Sequence, residues 1–199
     1  MPAMTTKLFP ALIFLLSLAA GAAAGVWSVD PTLDRLSARQ QEQFGPWRVD
    51  MSLASQDAGP YTRAYTAREA IWAMSSEDAL YLLALDDAEG RPLSPRCSYT
   101  VSGARPGAVW WSLTAYQDGR FIDNPEDRYS YSASTIGDGR GEDRWRVTVG
   151  PERTSSDHLP TRPDGGELSL MLRLYKAPAD MILTADDAAL PRIVRERCA

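Results

Sequence analysis

The side chains best suited to chemistry lie in the loop Asn124-Pro125-Glu126-Asp127-Arg128-Tyr129, which brings an amide, a guanidinium and a phenol close together. Such a trio can grip a carboxylate, a phosphate or a sugar through directional bonds. The same groups can equally serve their own loop. Asn closes an Asx-turn, and Arg128 can cap carbonyls or pair with Asp123, Glu126 or Asp127. Upstream, Trp110 and Trp111 sit side by side in a strand pattern, so their side chains point to opposite faces and only one can enter a core. The outward one would cover a second surface or line a groove, where indole stacks on a sugar or an aliphatic ligand. Asn124, Arg128, Tyr129, Trp111 and Arg173 form the candidate ligand-binding set; no catalytic residue is assigned.

Other reaction classes find less support. His158 is the single histidine, so a Ser-His-Asp triad would have to use it, and Asp157 beside it is poorly placed to orient it. No Gly-x-Ser-x-Gly elbow occurs. Two distant cysteines and one histidine do not make a zinc set, and no metal site is expected. Calcium is the one weak exception, through the acidic runs Asp86-Asp87 and Asp123 to Asp127, although neither follows an EF-hand pattern. Carboxylates abound, yet no spacing singles out two for glycoside cleavage.

The elements that must position these residues read mainly as strands. Trp47 to Leu53 and Arg144 to Val149 alternate at period two, as does Leu168 to Tyr175 (LSLMLRLY). Leu80 to Leu85, Cys97 to Ser102 and Val109 to Tyr116 add three more, and Arg192 to Arg197 a last one. A tight Asp118-Gly119 turn follows the Trp110 strand. Tyr61 to Met74 predicts the body's one helix, with Tyr61, Ala64, Tyr65, Ile71 and Trp72 near one face, and 179–189 a short further one. Gly-, Pro- and Asp-rich stretches at 135–143 and 150–166 read as loops. The expectation is an antiparallel β-sandwich of jelly-roll type with one or two helices.

Ahead of the body, Leu8 to Val29 carries no charge, Lys7 precedes it and Asp30 follows. At 1.5 Å per residue the run spans the roughly 30 Å hydrocarbon core of a bilayer. It predicts an uncleaved anchor, with a signal peptide cut near Ala22-Ala23-Ala24 as the alternative. Either way Lys7 stays cytoplasmic and the body faces the periplasm. No cysteine lies near the run, which argues against a lipoprotein. Asp30-Pro31 reads as the start of a new helix, giving an anchor at 1–30, a polar helical stalk at 31–44 and a body at 45–199. The net charge of −5 argues against nucleic acid as a partner, which normally meets a basic face. In an oxidising compartment Cys97 and Cys198 are expected to pair, stapling the last strand to the Cys97 strand.

The run WWSLTAYQDGRFIDNPEDRYS resembles the signature of the bacterial "domain of unknown function 1214" family: an aromatic-Ser-Leu-Thr strand, an acidic-Gly turn, then Asn-Pro-x-x-Arg-Tyr. The likeness continues in Leu159-Pro160 and in Gly166 to Tyr175. Upstream, Gly45-Pro46-Trp47, Tyr61-Thr62-Arg63-Ala64 and Cys97-Ser98-Tyr99 resemble a short, membrane-anchored branch of that family. The resemblance implies a jelly-roll-like sandwich and no agreed reaction. The chain departs from the pattern at Asp157-His158-Leu159-Pro160, where the family usually shows Asn-Trp-Leu-Pro.

These readings lead to an envelope protein tethered to the bacterial inner membrane, its sandwich binding a small ligand or an envelope protein. A hydrolase-type enzyme acting on an envelope substrate is the alternative. A purely structural subunit that oligomerises through an outward Trp face is the third.

Overall fold

The computed structural model describes residues 5–38, 41–51, 58–68, 74–137, 143–178, 181 and 190–198. In chain order the elements are α1 (Thr5–Ala38), β1 (Glu42–Phe44), β2 (Trp47–Val49), α2 (Pro60–Arg68), β3 (Ala79–Ala84), β4 (Cys97–Ala104), β5 (Trp110–Gln117), β6 (Arg120–Phe121), β7 (Ser130–Ser132), β8 (Arg144–Gly150), β9 (His158–Pro160), β10 (Leu168–Tyr175) and β11 (Arg192–Cys198).

The period-two pattern of β10 decides the architecture. Leu168, Leu170, Leu172 and Leu174 are wholly buried, while Ser169, Met171, Arg173 and Tyr175 between them are only partly so. Each such leucine contributes roughly 1.5–3 kcal/mol through burial. β10 is therefore central, with β3 and β5 antiparallel on either side. The larger sheet runs β1-β2-β3-β10-β5, and the far edge of β5 is shared by β6 and β7. A second sheet, β11-β4-β8-β9, covers its inner face. Trp47, Leu82, Trp111 and Leu113 from one sheet meet Tyr99, Val101, Trp145, Val147 and Ile193 from the other in one core. The sandwich expectation holds, with one local departure: β9 pairs with β8 in parallel. Only the seven positions 151–157 separate these strands. So short a link suffices because β9 turns back to lie beside the end of β8, Thr148 opposite His158.

The turn at the end of β5 forms as its sequence requires. Asp118 and Gly119 both take positive φ, 50° and 70°, the mark of a type I′ hairpin turn. The Asp118 carboxylate then accepts the N–H groups of Gly166 and Glu167. Beside it the Gln117 amide both donates to and accepts from the Arg162 backbone. These bonds clasp the loop after β9 onto the β5–β6 hairpin.

Two expectations about helices change. α1 does not restart at Asp30-Pro31 but runs through Pro31. An interior proline costs about 3 kcal/mol, set here against the Ala22-Ala23-Ala24 run before it and Leu33, Arg35 and Leu36 after it, which favour helix. Glu42 and Gln43, expected in the stalk, belong to strand β1. α2 is described over Pro60–Arg68, and positions 69–73 of the predicted helix lie outside the described residues. Its buried side chain is Thr62, whereas Tyr61 is 59% exposed. Ile71 and Trp72 of the expected helical face, Leu53 and most of the short helix expected at 179–189 lie outside the described residues. α2 lies against α1.

Within α1, Phe9–Leu33 is long and apolar enough to cross a membrane, with a mean hydropathy of 2.1, and the large apolar side chains exposed between Phe9 and Val29 include Leu12, Phe14, Leu16 and Trp27. At the other end of the chain, Cys97 and Cys198 face each other across the β4–β11 ladder and are joined by a disulfide, closing a separation of 101 positions.

Candidate functional site

The Asn124 loop is folded onto itself. The Asn124 amide donates to the Ile122 and Arg128 carbonyls, and its Oδ1 accepts the N–H groups of Glu126 and Arg128. Every polar position of the side chain serves the turn, which also holds Asp127 at φ 48°. The Tyr129 hydroxyl donates to Asp127 Oδ1 at 3.1 Å, and this bond raises the phenol pKa above its usual value. The Arg128 guanidinium lies over the Tyr131 ring, 5.2 Å from its centre. Glu126 pairs with Arg153 at 2.8 Å, tying this loop to the loop after β8. Asn124, Arg128 and Tyr129 thus share a loop in which the Asn124 amide and the Tyr129 hydroxyl are engaged by the loop's own groups. They brace the end of the sandwich where the two sheets meet.

His158 is buried, and this is where the chain carries its departure from Asn-Trp-Leu-Pro. Its Nδ1 lies 2.9 Å from Thr148 Oγ1, and its backbone N–H donates to the Tyr131 hydroxyl, which donates in turn to the Ser156 carbonyl. Asp157 turns elsewhere, accepting the Gly137 N–H at 2.6 Å. The imidazole is therefore a packing and hydrogen-bonding group inside the wall. Burial lowers its pKa below 6.5, against the opposing pull of the Glu126 charge and the Gly150 backbone. The unfolded chain protonates at the ordinary value while the native ring resists, so stability must fall as pH drops below about 6.5 and level off once the native ring is charged. Urea unfolding between pH 8 and pH 5 should show this slope, at most about 1.4 kcal/mol per pH unit for one proton. His158→Asn should flatten it; a flat wild-type profile would refute the reading.

The paired tryptophans divide as alternation demands. Trp111, expected among the ligand-binding residues, is 2% exposed and stacks on Trp145 at 4.5 Å in the core. No ligand can reach it without opening the sandwich. Trp110 is the outward member, 37% exposed and edge-on to Tyr175 at 5.2 Å. Arg173 occupies the same outer face. It donates to Thr114 Oγ1 at 3.1 Å and to the Tyr116 hydroxyl at 2.7 Å. Of the five predicted residues, Arg173 is the one on the outer face of the larger sheet, partly exposed and with N–H donors beyond these two bonds.

Among the described residues no cluster of His, Cys, Asp and Glu could hold a metal ion. The acidic pair considered for calcium has protein partners instead. Asp86 pairs with Arg48 at 2.6 Å. Asp87 is buried. Its Oδ1 accepts the N–H groups of Glu89 and Arg91, and its Oδ2 lies 2.9 Å from Arg91 Nε and 3.0 Å from Arg195 Nε. Burial opposes its ionisation, but the two backbone donors and the arginines prevail and hold its pKa below the usual value. Sequence reasoning missed this centre because Arg195 is remote in sequence. The Asp-x-Glu-Gly-Arg spacing, read as a carboxylate-capped turn, was the available signal. A cavity of about 330 Å³ opens elsewhere, between the β1–β2 hairpin and the start of β11. It is lined by Phe44, Trp47, Leu190, Pro191 and Arg192 among others, and by none of the predicted site residues.

The fold and this face define a two-sheet β-sandwich that has an apolar helix ahead of it and an arginine set among aromatics on its outer surface. The chain belongs to the family described as "Protein of unknown function (DUF1214)", whose model matches residues 78–179. Among solved structures it resembles the VPA0106 protein from Vibrio parahaemolyticus, with TM-score 0.60 and 16% identity over 84% of this chain and 42% of that one. A putative uncharacterized protein from Burkholderia cenocepacia gives TM-score 0.47 and 17% identity over 89% of this chain and 42% of that chain. The chain thus spans less than half the length of either, and the first likeness speaks for the fold alone. No curated protein matches the chain.

Proposed function

We propose that the chain is an envelope protein in which α1 tethers a periplasmic β-sandwich to the inner membrane, and that the sandwich binds a ligand or a protein partner. The observation that carries this reading is α1, whose Phe9–Leu33 segment is apolar and long enough to cross a membrane. Its exposed Phe9, Leu12, Phe14, Leu15 and Leu16 suit lipid. Lys7 before the segment favours a cytoplasmic amino terminus, and a disulfide fits an oxidising compartment. A binding role is supported by Arg173, whose guanidinium has N–H donors beyond its bonds to Thr114 and Tyr116.

Expression with alkaline phosphatase fused after Cys198, followed by fractionation and a carbonate wash, tests this directly. Active fusion protein retained in washed membranes is the expected result. Recovery in the cytosol, or inactive phosphatase, overturns the reading. A mature protein beginning near Val26 and released in soluble form overturns the tether and leaves export standing.

A further inference from the structure

We propose that Arg173 and the aromatic pairs flanking it on the outer face of β5 and β10 bind an oxyanion-bearing saccharide. This rests on the binding role proposed above and names its ligand class. The half-buried arginines Arg48 and Arg195 each meet a carboxylate, Asp86 and Asp87 respectively. Arg173 does not: its contacts are the neutral hydroxyls of Thr114 and Tyr116, and its guanidinium lies 5.9 Å from the centre of the Tyr116 ring. A guanidinium offers five N–H donors in a fork that matches a carboxylate or a phosphate. Two hydroxyls leave donors over and supply no countercharge. The site is thus held in position by its own sheet and, among the described residues, lacks the carboxylate that accompanies Arg48 and Arg195.

The surroundings specify what carries that anion. Tyr175 follows Arg173 by two positions on the same strand face, about 7 Å away, and pairs with Trp110 on β5. On the other side the Tyr116 ring stacks on Phe121 at 5.1 Å, and Phe121 meets Tyr129 at 5.5 Å. Trp110 and Phe121 remain 37% and 61% exposed. Flat aromatic faces to either side of one cation suit sugar rings bearing a carboxylate or a phosphate. An extended apolar chain would leave the guanidinium unsatisfied, and a free anion would leave the rings unused.

The test titrates the full-length protein in lipid nanodiscs by calorimetry with trigalacturonate, glucose 1-phosphate, inorganic phosphate and neutral cellotriose. Binding of trigalacturonate or glucose 1-phosphate, about tenfold or more tighter than cellotriose, is expected, since charge-assisted forks are the stronger bonds. Which of the two binds identifies the source of the oxyanion. Arg173→Gln should remove that preference. Trp110→Ala, at an exposed position that leaves the core intact, should weaken the saccharides and spare inorganic phosphate. Failure of both acidic saccharides to bind overturns the proposal, as does unchanged affinity in either variant. Inorganic phosphate binding as tightly as glucose 1-phosphate overturns the saccharide assignment. Absence of binding by a chain that still fractionates with the inner membrane would leave the tether standing, so the two failures are distinguishable.

Discussion

Replacing Cys97 and Cys198 together by serine should cost about 2–5 kcal/mol of stability and lower the melting temperature by on the order of 10 °C. The bond closes a separation of 101 positions, a loop long enough for the chain-entropy account to reach roughly 4.7 kcal/mol. Its position adds a local effect. β11 is an edge strand held only by β4, and its register slips between Arg195 and Arg197. Beyond that bulge Arg197 and Cys198 pair with Ser98 and Cys97, and the disulfide together with the Arg197–Glu152 ion pair holds them in that register. Hydrogen exchange in β11 should therefore accelerate more than in β10 when the bridge is lost. Thermal melting with and without reductant, together with thiol labelling of unreduced protein, checks both points. Two free thiols in protein from the oxidising fraction would end the argument, as would a melting temperature indifferent to reductant.

Asp87→Ala should be nearly as damaging, at about 3–5 kcal/mol, because it leaves a guanidinium without its partner inside the protein. Asp87 is fully enclosed and Arg195 is 18% exposed at the side chain, whereas Arg91 is half exposed and counts for less. Arg195 also lies 5.6 Å from the centre of the Tyr99 ring, so losing the carboxylate frees a cation against a core aromatic. The pH dependence has a definite sign. A carboxyl whose folded pKa is depressed stabilises fully above its unfolded value near 3.9, and that contribution is lost as pH falls through the folded value. Asp87→Asn should accordingly be destabilised at neutral pH and lose less than wild type between pH 4 and pH 2. Denaturant unfolding across that range decides it. A variant within about 1 kcal/mol of wild type at pH 7 would show that the centre is dispensable.

How much of this was legible beforehand depends on the range of the interaction. Strand alternation is a local property, and it placed Leu168 to Tyr175 correctly because each leucine's burial follows from its neighbours two positions away. The Asp118-Gly119 turn was legible for the same reason. Alternation also showed that Trp110 and Trp111 must part, but not which one would face Trp145, since that depends on how the second sheet is laid on. The Asn124 loop was read with both outcomes open, and the Asx-turn won because four backbone partners lie within four positions. Arg173 was named without its partners. Thr114 and Tyr116 sit on β5 and become its neighbours only through the β5–β10 register. The continuous α1 could not be read from Asp30-Pro31, because a capping pair states where a helix can start and not whether the preceding one has ended. Asp87 went unread because its second cation arrives from the last strand of the chain.

The margins of the two sheets have a consequence for how the protein behaves in a crowd. β1 is a three-residue strand with Glu42 and Gln43 exposed, β9 is another three residues ending in Pro160, and β11 carries Arg192, Arg195, Glu196 and Arg197 beside its bulge. A strand this short, closed by proline or lined with charge offers no long row of free backbone groups to a passing chain. Sheet-to-sheet polymerisation is thereby disfavoured at these three margins. The open face around Arg173 can then stay accessible without making the molecule prone to fibre growth.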